Sequence, residues 1–104
     1  LKLIREILYK VDINRVFGNT SLSIEKVEFD SRLVTRSDMY VAINGVNVNG
    51  HDYISQAIEN GANCIICEEM PEDKVDDIVY INVPCSREAL ALFALIILII
   101  PPQN

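Results

Sequence analysis

The stretch Met39–Glu68, "MYVAINGVNVNGHDYISQAIENGANCIICE", holds a strand, a loop, a helix and a second strand in unbroken succession. Met39 to Ile43 is uninterruptedly apolar, the pattern of a strand covered on both faces. The segment "NGVNVNG", with two glycines and three asparagines, must be a loop. From Asp52 to Asn60 the apolar residues Ile54, Ala57 and Ile58 fall on one helical stripe, and Gly61 is a natural stop. "NCIICE", Asn63 to Glu68, is again a buried strand.

Working outward, Ile4, Ile7, Leu8 and Val11 recur at helical spacing, which predicts an amphipathic helix over residues 2–10. "GNTSLS" breaks the chain before a predicted strand from Ile24 to Phe29, with Val27 and Phe29 on one face. "LVTRSD" is a loop. Beyond Glu68, "EMPEDKVDD" reads as an acidic surface loop and "DIVYINV" as a further strand that Pro84 ends. Ser86 is placed to cap a last helix through the apolar run Ala89–Ile100. Strands alternating with helices predict an α/β fold, a small sheet with helices packed on it.

The chain has 104 residues, room for one domain. Half of them are hydrophobic, so a packed core rather than disorder is expected. Fifteen acidic residues face nine basic ones, and a formal charge of -6 argues against nucleic acid or an anionic membrane as partner. The longest apolar run, 12 residues, is too short to span a bilayer. With three cysteines, free thiols in a reducing compartment are the simpler reading, and a cytoplasmic location is expected.

Individual motifs are weak. Cys64 and Cys67 have C-x-x-C spacing, but residues three apart on a strand point to opposite faces and cannot converge on one metal. The acidic loop lacks the alternating ligands and tight-turn glycine of a calcium loop, and Pro71 interrupts it. Gly45 and Gly50 have the glycine spacing of a phosphate loop, yet His51 and Asp52 stand where its lysine and hydroxyl residue belong. His51 has no catalytic constellation and suits a loop or helix-start role. "DSR", Asp30 to Arg32, would serve any loop as turn-maker and ion pair.

In combination the motifs are specific. D-S-R at residues 30–32, the aromatic-V-A of Tyr40 to Ala42, the G-x-x-x-N-G-H of Gly45 to His51 and the A-I-x-x-G-A of Ala57 to Ala62 follow in order. Together they resemble the N-terminal domain of the Mur ligases over roughly Val27 to Ala94. The likeness is greatest to the member that adds a diamino acid, meso-diaminopimelate or L-lysine, to UDP-MurNAc-L-Ala-D-Glu. The ligase that follows it, acting on the UDP-tripeptide, is the runner-up, and a non-catalytic α/β binding module is the reading from another class.

The resemblance implies a Mur ligase N-terminal domain-like fold that binds the UDP moiety of a UDP-linked muramoyl peptide. Phe29 and Ser31 stand where the family contacts UDP from a strand end, and Val46, Asn47 and Val48 occupy the loop that closes over it. Asp30 and Arg32 are expected to brace rather than to touch ligand. No catalytic residue and no metal ligand is expected here. ATP and Mg2+ would belong to the full-length enzyme and none would be bound by this piece, whose partners would include its own central and C-terminal domains. The chain ends where the family's central domain would begin, which implies a fragment. Three departures stand out: Asn49 for the usual aspartate, Ser37 for the usual glycine of its turn, and an atypical tail over residues 93–104.

Overall fold

The computed structural model describes residues 2–99. Its centre is a five-stranded sheet. Strands β4 (Val27–Glu28), β5 (Met39–Val41), β6 (Cys64–Cys67) and β7 (Val79–Asn82) lie parallel in that order. Strand β2 (Arg15–Phe17) closes the far edge antiparallel to β7, with Val16 opposite Ile81. A separate two-stranded ribbon pairs β1 (Lys2–Leu3) with β3 (Ser23–Ile24).

Both faces of the sheet are covered, as the unbroken apolar runs demand. Met39, Val41, Cys64, Ile66, Val79 and Ile81 point to a core shared with helix α1 (Ile4–Ile7) and helix α3 (Ser86–Ile99). Tyr40, Ile65, Cys67 and Tyr80 point the other way, to a core shared with helix α2 (Ile54–Glu59). Strand alternation puts Cys64 and Cys67 in different cores, so the C-x-x-C pair is two buried thiols. Burial pushes the Cys67 thiol up to about 11, the Lys74 charge offsetting part of the effect.

Three expectations need correction, and one strand lies where none was expected. Residues 2–10 are not one helix: Lys2 and Leu3 pair with β3, and α1 follows as a single turn. The strand expected from Ile24 to Phe29 is broken into β3 and β4, which belong to different sheets. At the break the Glu25 amide donates to the Ser37 carbonyl, and the Lys26 ammonium reaches the buried Asp38 carboxylate at 2.6 Å. Partial burial pulls Lys26 down, but its hydrogen bonds to Asp38 and Glu28 outweigh this, and its pKa ends raised. Ser86 does not cap α3. Its amide donates to Glu68 Oε2 at 2.8 Å, while its hydroxyl is buried without a partner among the described residues. A carboxylate from the end of β6 thus caps the positive end of the last helix. Finally, β2 was not anticipated, because a three-residue edge strand with an exposed Val16 has no apolar signature.

Of the apolar run Ala89–Ile100, Ala89 and Phe93 are buried and Leu95 is about half exposed. Ile100 and the rest of the tail lie outside the described residues.

Candidate functional site

A cleft of about 580 Å³ opens beyond the carboxyl ends of β4 and β5. This is where parallel sheets ordinarily receive ligands. One wall comes from the chain leaving β4: Phe29, Asp30 and the 3-10 turn Ser31–Leu33. The opposite wall is the loop leaving β5, through Gly45 and Val48. Tyr40 and Gly50 form the floor, and Tyr53 and Gln56 from the start of α2 close the third side.

The first wall is fixed by its own chemistry. Asp30 Oδ1 accepts the Arg32 amide at 3.0 Å, which starts the 3-10 turn, and both Asp30 oxygens hold the Arg32 guanidinium. The guanidinium lowers the Asp30 pKa by hydrogen bonding. Asp30 and Arg32 therefore brace each other across the lip of the cleft. Ser31 is buried, its hydroxyl 2.6 Å from Gln56 Oε1 and its carbonyl accepting from Asn60 Nδ2 at 2.9 Å.

The second wall is a short excursion closed at its base. The Gly50 amide donates to the Ile43 carbonyl at 2.7 Å, and Gly45 donates to Val48. The Tyr40 hydroxyl donates to the Gly50 carbonyl at 2.8 Å, and burial pushes its pKa up to about 12. A Cβ on Gly50 would lie 2.6 Å from the Ile43 nitrogen, so only glycine lets the returning loop pass this close. Asn49 Oδ1 accepts from the His51 amide and from His51 Nδ1. The amide oxygen thus does the acceptor work open to an aspartate at that position. His51 Nε2 accepts the amides of Glu68 and Glu69, so the ring clips the loop to the end of β6. His51 thus stands at the start of the turn Gly50–Tyr53 and ties down a loop, in line with the loop or helix-start role expected of it.

Of the five residues singled out in the sequence, Phe29, Ser31 and Val48 line the cleft. Val46 and Asn47 sit at the exposed tip of the loop, outside the cleft walls. The floor and third side, Tyr40, Tyr53 and Gln56, were missed. A signal existed: Tyr53, Gln56 and Asn60 recur at helical spacing on the stripe beside Ile54, Ala57 and Ile58. Exposed Phe29, Tyr53 and Val48 around buried hydrogen-bonding groups suit a flat ring with polar edges. The lining carboxylate, Asp30, is engaged at both of its oxygens by Arg32.

The model of the Mur ligase family, catalytic domain, matches residues 23–96. The chain belongs to the Mur ligase family. The UDP-N-acetylmuramoyl-L-alanyl-D-glutamate--2,6-diaminopimelate ligase of Cytophaga hutchinsonii is 38% identical over 92 residues, 88% of this chain and 19% of that protein. The ligase of the same name from Clostridium tetani is 38% identical over 93 residues, with the same shares. Among solved structures, MurF from Acinetobacter baumannii aligns with a TM-score of 0.59 at 26% identity, over 66% of this chain and 15% of that one. MurF ligase from Thermotoga maritima in complex with ADP gives 0.59 at 33% identity, over 67% and 16%. The chain thus spans about a fifth of the length of the Mur ligases it matches in sequence.

Proposed function

We propose that this chain recognises the UDP end of a UDP-linked muramoyl peptide for an ATP-dependent cytoplasmic ligase of peptidoglycan precursor synthesis. The ligase would add a diamino acid to UDP-MurNAc-L-Ala-D-Glu. The observation that carries the reading is the cleft between Phe29–Ser31 and the Gly45–Gly50 loop, framed by the family's landmark residues. Phe29, Tyr53 and Val48 offer apolar cover to a uracil ring, and Ser31 and Gln56 offer hydrogen bonds to a polar edge. Val46 and Asn47, at the loop tip, act from above the cleft. The shared diaminopimelate-ligase name of the sequence relatives favours this member. The MurF titles of the aligned structures favour the following ligase as the second reading.

ATP and Mg2+ belong to this reaction, but the residues here do not fit them. His51 follows Gly50 where a phosphate loop needs lysine, and its ring is turned to the Glu68 and Glu69 amides. Among the described residues no cluster of three metal-ligating side chains occurs. The 104-residue chain alone is therefore expected to release no phosphate from ATP.

Equilibrium titration of the chain with UDP and with ADP tests the reading. UDP is expected to bind weakly, on the order of millimolar, because neighbouring domains would bury the rest of the substrate. ADP should bind more weakly still, since a site that pairs one base leaves polar groups unpaired with another. Equal affinity for the two nucleotides would contradict the proposal.

A further inference from the structure

We propose that Gln56 is a positioning residue that sets the polarity of the Ser31 hydroxyl, so that Ser31 meets the nucleoside as a hydrogen-bond acceptor. The inference rests on the UDP reading above and adds a specificity element to it. Ser31 Oγ lies 2.6 Å from Gln56 Oε1. That separation suits O–H···O and is shorter than N–H···O bonds run, which places the amide oxygen, not its nitrogen, against the hydroxyl. An amide oxygen can only accept, so the single hydroxyl proton of Ser31 is committed to Gln56. What Ser31 has left for the cleft is a lone pair.

The hydroxyl has little freedom to do otherwise. Ser31 is 6% exposed, and its carbonyl is held by Asn60 Nδ2 at 2.9 Å. Gln56 and Asn60 are one helical turn apart, so one face of α2 grips Ser31 at both of its oxygen atoms. Gln56 lines the same cleft, and its Nε2 has no protein partner among the described residues. The pair thus shows a ligand one acceptor beside one donor. A nucleoside meets it by donating to Ser31, through the uracil N3–H or a ribose hydroxyl, with an adjoining oxygen toward Gln56. Without Gln56 the hydroxyl can rotate and donate as readily as accept, and the demand for a ligand donor disappears.

The test compares UDP with 3-methyl-UDP, 2′-deoxy-UDP and 3′-deoxy-UDP on the wild-type chain, Gln56→Leu and Gln56→Glu, each checked for an intact amide spectrum. The wild type is expected to lose roughly two- to tenfold in affinity for the one analogue that lacks the donor facing Ser31. Gln56→Leu should bring that ratio close to one. Gln56→Glu keeps an acceptor for the hydroxyl and should preserve the ratio, even though its charge weakens binding of every diphosphate. A residue that merely supported the fold would change all affinities together and leave the ratio alone. The assignment is overturned if wild type prefers UDP to ADP yet binds all three analogues like UDP, or if Gln56→Leu keeps the full ratio. A wild type with no preference for UDP over ADP removes the underlying reading, and this assignment with it.

Discussion

Ser31 and Ser37 show how much one side chain decides here. Ser31 gives its proton to Gln56 and its remaining lone pair to the cleft, so Ser31→Ala should weaken UDP binding by roughly 0.5–1.5 kcal/mol. Asn47 is exposed at the loop tip, and Asn47→Ala should change affinity far less. Isothermal titration of both variants checks the contrast. Ser37 sits at φ 68, a left-handed conformation that costs a residue with a Cβ and suits glycine. Serine at this position is therefore a local strain, and Ser37→Gly should stabilise the fold by roughly 0.5–1 kcal/mol in chemical denaturation. That Phe29 and Ser31 sit together beside a strand end was legible in the sequence, through the order of the landmarks around them. The helical stripe that carries Gln56 was legible too, but not its contact with Ser31, which arises only when α2 packs over the sheet, 25 residues along the chain.

At the level of elements, the loop between β5 and α2 depends on the Gly50 crossing. Gly50→Ala would press a methyl group on the Ile43 backbone and on the Tyr40 hydroxyl. A loss of about 1–3 kcal/mol is expected, with nucleotide binding weakened as the cleft floor shifts. A thermal melt together with a UDP titration would show both effects, and unchanged stability would contradict the close packing described. The strand–helix–strand core was readable because β5, β6 and β7 are apolar on both faces, which only a doubly covered sheet explains. The split between β3 and β4 was not readable. It depends on Lys26 being drawn to Asp38 and on the Glu25 amide pairing with Ser37, partners that lie a loop away. The cap on α3 was misread for the same reason: Glu68 is 18 residues from Ser86.

For the whole molecule, buried acidic groups make alkaline pH the weak side. Tyr40 is raised from 10.0 to about 12 and Cys67 from 9.0 to about 11, both chiefly by burial, and Cys64 is raised further. Between its unfolded and folded pKa each group has ionised in the unfolded chain but keeps its proton in the folded one. Stability is thus complete below about pH 9 and falls as pH rises toward 12. Lys26, raised by its carboxylate partners, acts in the same direction. The Tyr40 share, roughly 2–3 kcal/mol, is lost between about pH 10 and about pH 12, and Tyr40→Phe should flatten the decline measured by denaturant titration over that window. A profile without any decline would count against the burial of these groups.

The central claim is that a uracil nucleotide is received between the Phe29–Ser31 strand end and the Gly45–Gly50 loop. An amide chemical-shift titration of the isotopically labelled chain tests this most directly, because it reports both affinity and place. UDP is expected to shift the amides of Ser31, Arg32, Val48, Gly50 and Gln56, while ADP at equal concentration leaves them nearly unmoved. Equal shifts from the two nucleotides, or UDP shifts confined to another face such as the β2 edge, would contradict the account.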